Sequence, residues 1–173
     1  AGNLNSCRIE GNAAEIGGGI SNPLHAEDES YVNCIIRNNR AVFGGGLYIT
    51  NQFASCEGCL FEGNSAAEDG GAVYIMNNCT CPSGLNLDRC KLIGNQANGH
   101  GGALYHEGNP QVWILSSLVS GNTSGADGGG LFCDLYQGMV GSGWCGVINS
   151  TIVYNTAAGN GGGVTSIVSV PEY

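Results

Sequence analysis

Cys59-Leu-Phe-Glu-Gly-Asn64, followed by Gly70-Gly-Ala-Val73, is the stretch that decides how this chain folds, because it recurs along the whole sequence. The first half returns as Cys7-Arg-Ile-Glu-Gly-Asn12, Cys34-Ile-Ile-Arg-Asn-Asn39, Cys90-Lys-Leu-Ile-Gly-Asn95, Ser117-Leu-Val-Ser-Gly-Asn122 and Ser150-Thr-Ile-Val-Tyr-Asn155. A small residue stands two places after each Asn (Ala14, Ala41, Ala66, Ala97, Ser124, Ala157). A glycine pair then leads to an apolar residue (Ile20, Leu47, Val73, Leu104, Leu131, Val164). Successive Asn residues lie 27, 25, 31, 27 and 33 apart, so one half of the unit is fixed and the other elastic.

Within the fixed half the period is two, the signature of a strand with one face on a core. The residue two after each Cys/Ser is always apolar (Ile9, Ile36, Phe61, Leu92, Val119, Ile152), while its neighbours vary from Arg8 to Thr151. A second apolar column lies three residues before each Cys/Ser (Leu4, Tyr31, Cys56, Leu87, Ile114, Val147). Gly11, Gly63, Gly94 and Gly121 recur where a bend needs positive φ. Paired glycines interrupt every apolar segment, which excludes helices of useful length. Two fixed short strands, one variable strand and glycine bends predict an all-β parallel β-helix of about six coils. It forms a single domain over residues 1–173, a segment of a longer rod or a filament subunit. At about 4.8 Å per coil it is a rod roughly 29 Å long. The recurrent Asn is expected to stack at a turn, its amide bridging coils.

These residues resemble a known family. Phe61-Glu-Gly-Asn64 with Gly70-Gly-Ala-Val73, and Gly101-Gly-Ala-Leu104 in the next unit, are similar to the FxxN and GGA[ILVY] repeats of the chlamydial polymorphic outer-membrane proteins. Only one unit carries Phe in FxxN, and Gly replaces Ala in four of six GGA positions. The resemblance implies a right-handed β-helix passenger or cell-surface rod, commonly adhesive, and transfers no site. Aligned cysteines and sequons also suit a eukaryotic secreted relative, such as a subunit of an extracellular filament.

Composition narrows the partners. The 173 residues include 31 Gly and only 5 Lys+Arg against 14 Asp+Glu, a net charge of −9 that argues against nucleic acid. No apolar run approaches the ~20 residues of a membrane helix. Nine cysteines fit an oxidising compartment, and so do sequons at Asn78, Asn122 and Asn149, which are candidate glycosylation sites. Cys133 and Cys145 bracket an excursion and are the expected disulfide. Cys7, Cys34, Cys59 and Cys90 share one inward column, as neighbour bridges or as buried free thiols. With Cys56, Cys79 and Cys81 left over, at least one thiol has no partner within the chain.

Three columns invite a functional reading. Glu10, Arg37 and Glu62 stack outward, two carboxylates about 9.6 Å apart with an arginine between them. The spacing approaches that of an inverting glycosidase, but the arginine keeps both acids ionised and makes an ion-pair ladder the expectation. Asp69, His100, Asp127 and Asn160 precede the glycine pairs and read as turn caps rather than metal ligands. Glu27-Asp28-Glu29 lacks the spaced ligands of a calcium loop. Tyr48, Tyr74, Tyr105 and Phe132 form an outward aromatic stripe, covered by the chain's own excursions, contacting another protein, or receiving sugar rings. Scattered Thr residues argue against a regular ice-binding face, and no nucleophile or phosphate-loop motif occurs.

No catalytic, cofactor-binding or metal-ligating set is assigned. The reading is a non-enzymatic extracellular structural or adhesive rod, filament subunit or cell-surface scaffold. The alternative is a carbohydrate-active, pectinase-like β-helix enzyme fragment. Expected partners are further repeats of a parent chain or other copies end to end, because neither terminus carries an obvious cap, and glycans or cell-surface proteins.

Overall fold

The computed structural model of the chain describes residues 2–22, 28–77, 82–136 and 143–169. They form a parallel β-solenoid with no helix. The first sheet stacks Leu4–Asn5, Glu29–Val32, Phe53–Glu57, Gly84–Asp88, Gln111–Leu115 and Trp144–Ile148. The second stacks Arg8–Glu10, Ile35–Arg37, Leu60–Glu62, Lys91–Ile93, Leu118–Ser120 and Thr151–Val153. A third, of two-residue strands from Arg40–Ala41 to Thr156–Ala157, carries the small-residue column. The fourth runs from Ile20–Asn22 through Val73–Asn77 to Val164–Ser169. The coil thus has one more strand than the repeat pattern suggests, because the small residues after each Asn pair with their equivalents in neighbouring coils.

Register follows the repeat. Phe61 pairs with Ile36 and Leu92, and Val73 with Leu47 and Leu104, so the elastic lengths are absorbed in loops while the columns stay aligned. Ile36, Phe61, Leu92 and Val119 are fully buried, as are Leu47, Val73, Leu104 and Leu131. Each coil turns through three left-handed bends. Ser6, Asn33, Gly58, Arg89, Ser116 and Asn149 make the first, with φ between 47° and 63°. Gly11, Asn38, Gly63, Gly94, Gly121 and Tyr154 make the second. The third is always glycine, and at Gly70 the reason is steric as well as conformational: a Cβ there would meet the Val73 carbonyl oxygen at 2.4 Å. Its neighbour Gly71 has no room either, since a Cβ would lie 2.1 Å from Gly102 O in the next coil.

The Asn column is a continuous ladder. Asn64 Oδ1 accepts from the backbone N–H and the side-chain amide of Asn39, both at 3.1 Å. Asn64 Nδ2 donates to Ile36 O at 2.9 Å and to Asn95 Oδ1 at 3.0 Å. The pattern repeats from Asn12 to Asn155, and Asn39, Asn64, Asn95 and Asn122 are at most 1% exposed. Every polar atom of the buried amide has a partner, as burial requires. The left-handed residue is the one before the Asn, so the ladder, not turn propensity, selects the amide.

The Cys/Ser column follows the same logic. Cys7, Cys34, Cys59 and Cys90 are free thiols, and Cys34, Cys59 and Cys90 are buried. Cys90 Sγ donates to Asp88 O and Cys56 O at 3.4 and 3.3 Å. Ser117 Oγ makes the equivalent bonds to Leu115 O and Leu87 O at 2.7 and 3.2 Å, while accepting from Cys90 N at 2.9 Å. The position asks for a small side chain with one donor, so Cys and Ser exchange there and no bridge is needed. Burial pushes the Cys34 thiol up, keeping it protonated.

Removing the Asn64 amide leaves Asn39 and Ile36 with unpaired buried groups, and removing the Phe61 ring leaves a cavity. Chemical denaturation is expected to show Asn64→Ala and Phe61→Ala each losing roughly 3–5 kcal/mol. The exposed control Lys91→Ala should stay within about 0.5 kcal/mol of the parent. An Asn64→Ala change as mild as the control would show that the ladder contributes nothing.

Candidate functional site

The acidic column is saturated by cations. Glu10 accepts from Arg8 Nε at 2.5 Å and from Arg37 Nε at 2.8 Å, and Arg37 NH1 lies 4.0 Å from Glu62 Oε2. The Arg8 hydrogen bond, then the Arg37 one, hold the Glu10 carboxyl below the usual carboxylate range, the opposite of what a general acid needs. The turn column is occupied as well. Asp69 Oδ1 accepts from the His100 amide at 2.6 Å, His100 Nδ1 from the Asp127 amide at 3.2 Å, and Asp127 Oδ1 from the Asn160 amide. Each side chain caps the backbone of the next coil. Of the acidic loop, Glu27 lies outside the described residues, and Glu29 accepts a hydrogen bond from the Tyr31 hydroxyl.

The aromatic stripe is a stack, buried at Tyr74 and Phe132 and half-buried at Tyr48 and Tyr105. Tyr48, Tyr74, Tyr105 and Phe132 follow one another at 5.2, 5.0 and 5.3 Å between ring centroids, with interplanar angles of 20° or less. Tyr74 is only 7% exposed and Phe132 only 4%. Phe43 packs edge-on against Tyr74 at 5.4 Å, and His100 covers Phe132 at 4.4 Å. The Tyr74 hydroxyl is spent on Glu107 Oε2 at 2.7 Å. Of the three readings of the stripe, burial favours covering within the chain: side chains from the turns lean over it at Tyr74 and Phe132, while Tyr48 and Tyr105 stay half-buried.

The sequons differ in accessibility. Asn122 is a rung of the ladder, its Nδ2 donating to Leu92 O at 2.9 Å and Asn155 Oδ1 at 2.8 Å, so the folded chain offers no nitrogen there for a glycan. Asn149 is exposed at a left-handed bend. Asn78 lies outside the described residues, with Cys79 and Cys81.

What the sequence reading missed is a cleft of about 560 Å³ on the outer face of the first sheet. Phe53, Trp113, Leu115 and Ile148 line it, with Asp28, Glu29, Ser55, Asn86 and Gln111 as polar members. Its aromatic rings lie down over glycines. A Cβ on Gly84 would be 3.0 Å from the Phe53 ring, and one on Gly146 only 2.6 Å from the six-membered ring of Trp113. Trp144 flanks Trp113 with centroids 5.9 Å apart and is 55% exposed. The signal was there in part, since Phe53, Trp113 and Trp144 all stand at outward parity. The resting of ring on glycine depends on inter-coil register, pairing Gly84 with Phe53 and Gly146 with Trp113. Flat aromatic faces beside amides and carboxylates can stack and hydrogen-bond a ligand.

A second overlooked residue is His106. It occupies an inward position between Ile75 and Cys133 and is fully buried. Its Nε2 lies 2.9 Å from Pro110 O, and burial pushes its pKa down to about 4. Beside it Cys133 is disulfide-bonded to Cys145, with Cα atoms 6.5 Å apart.

The Chlamydia polymorphic membrane protein repeat matches residues 58–76. The chain is also 28% identical over 102 residues to metabotropic glutamate receptor-like protein P of Dictyostelium discoideum. That match takes in 54% of this chain and 7% of that protein, so the chain spans a small part of the length of the curated relative it matches. No solved structure matches the chain. The chain is a parallel β-solenoid with a repeat similar to the Chlamydia polymorphic membrane protein repeat over residues 58–76.

The ladder has a pH signature. Because the Glu10 carboxyl is depressed in the folded state, its contribution is present above the ordinary glutamate value and is lost as pH falls through the depressed one. Glu10→Gln is expected to be less stable than the parent at pH 7, with the difference closing under acid and in high salt. A gap that persists unchanged at pH 2 would assign the effect to packing instead.

Proposed function

We propose that this chain is a non-enzymatic segment of an extracellular, cell-surface β-helical rod that makes adhesive contact with neutral glycans through the cleft on its first sheet. The observation that carries the reading is the aromatic shelf of exposed Phe53 and Trp144 with half-buried Trp113 between coils, in a molecule whose other aromatic stack is covered at Tyr74 and Phe132. Sugar rings present apolar C–H faces that stack on such rings, and Ser55, Asn86 and Gln111 supply hydrogen-bonding groups at the rim. The net charge of −9 disfavours acidic polysaccharides. The surface location is supported by the similarity to the Chlamydia repeat. Asn149 is the accessible glycan acceptor among the described sequons.

The rod role is supported by the regular stacking of the four parallel sheets, in which aligned apolar columns cover one another from coil to coil and leave Ile114 and Leu131 fully buried. The enzyme alternative loses support because the ion pairs to Arg8 and Arg37 keep Glu10 ionised.

Binding to immobilised neutral oligosaccharides is the test. The parent is expected to bind with strong preference over uronate-rich glycans, and Trp113→Ala and Trp144→Ala to weaken binding at least tenfold while leaving the circular-dichroism spectrum unchanged. Equal binding by parent and variants would remove the cleft from the proposal. Polysaccharide cleavage abolished in Glu10→Gln or Glu62→Gln would replace it with the enzymatic reading.

A further inference from the structure

His106, Cys133 and Cys145 form a cluster that the glycan-binding proposal does not use. A ring nitrogen of His106 and the two sulfurs lie within 4.8 Å of one another. His106 and Cys133 sit in adjacent rungs of the fourth sheet, and Cys145 reaches them from the first sheet across the core. His106 is fully buried, Cys133 is 1% exposed and Cys145 is half-buried, so the cluster is enclosed on one side and open through Cys145.

The hydrogen bonding of His106 is unusual for a buried histidine. Pro110 O can only accept, so Nε2 carries the proton and donates at 2.9 Å. Nδ1 then holds a lone pair, buried and without a hydrogen-bond partner. A buried polar atom left unpaired costs free energy, and here it stands beside two sulfurs. Metal-bound histidines are built in this way: one ring nitrogen donates to a backbone carbonyl, which fixes the tautomer and orientation, and the other points at the metal. Ile49 and Ile75 occupy the same column in earlier coils, so nothing in the packing alone calls for an imidazole at this rung.

We infer that His106 Nδ1 and the thiolates of Cys133 and Cys145 form a redox-gated binding site for a thiophilic d10 cation of the Zn²⁺ type, with water as the fourth ligand. In the oxidised chain the two sulfurs are bonded to each other and no thiolate is available. A dithiol reductant opens the site: it transfers two electrons and two protons, the S–S bond breaks to two thiols, and the reductant closes into its own disulfide. The cation then displaces the two thiol protons to solvent, forming two metal–sulfur bonds and one metal–nitrogen bond. Two sulfurs and an imidazole match the donor preference of such an ion, and an open fourth position is what distinguishes a reactive site from a closed structural one. The unpaired Nδ1 gains its partner in that state. The two states have different uses: the disulfide clamps the fourth sheet to the first, and the loaded site replaces that clamp with a metal bridge.

Co²⁺ and Zn²⁺ added to the full chain, oxidised or pre-reduced with dithiothreitol and freed of it without air, test the inference. The reduced chain is expected to take one Zn²⁺ by native mass spectrometry and to give thiolate-to-Co²⁺ charge-transfer absorption with the visible bands of a tetrahedral ion. The oxidised chain should give neither. His106→Gln and Cys145→Ser are each expected to weaken Zn²⁺ binding at least tenfold, and Cys133→Ser with Cys145→Ser to abolish the Co²⁺ spectrum. Because a His106 variant can fail to fold, Cys145→Ser, at a half-buried position, is the variant whose amide-exchange protection must match the parent. No metal uptake by the reduced chain would overturn the proposal. So would a Co²⁺ spectrum that survives in the double variant, which would place the ion on the other cysteines, or full affinity in a folded His106→Gln.

Discussion

A buried amide can stay buried only if all of its polar atoms are paired, and in this molecule that requirement ties each coil to the next. Asn64 spends its oxygen on Asn39 and its two N–H groups on Ile36 and Asn95. Neither its own coil nor either neighbour alone satisfies it. The ladder therefore sets more than stability, because a slip of one residue in the stacking would strand several donors and acceptors at once. Around it the apolar columns are free to vary in size, from Ile36 to Phe61 to Leu92, since their packing is non-directional.

The other invariant positions answer the same spacing with different chemistry. The glycine pairs are demanded by backbone crowding, with a carbonyl oxygen of the same coil at the first glycine and of the next coil at the second where a Cβ would sit. The Cys/Ser column is demanded by carbonyls that need a small donor, which a thiol or a hydroxyl satisfies equally in kind. Cysteine abundance here is therefore only partly a disulfide framework. Cys133 and Cys145 are bonded across the core, while Cys34, Cys56, Cys59 and Cys90 serve as buried small hydrophobes.

A solenoid keeps its core narrow and puts its chemistry on faces, so each outward column is either covered or offered. The fourth-sheet aromatics are covered by Phe43 and His100. The charged column of the second sheet neutralises itself through Arg8 and Arg37. The first sheet offers an open apolar face, with rings laid flat on Gly84 and Gly146. That contrast, rather than any single side chain, directs the functional reading to the cleft.

The sequence by itself determined the parallel coil, the inward parity of Phe61 and its column, the Asn ladder and the self-neutralising Glu10 column. All of these are properties of a repeat, and a repeat is visible wherever identical environments recur at aligned positions. It determined the outward parity of Tyr74 as well, but parity says which way a side chain leaves the sheet and nothing about what leans over it. Only the tertiary structure decided that Phe43 and His100 cover the stripe, and that Gly84 and Gly146 fall beneath Phe53 and Trp113. It also decided that Cys145 meets His106 and Cys133 across the core. Each of these contacts joins residues from different coils whose separations vary with the elastic loops, so the one-dimensional pattern carries no fixed spacing from which to read them.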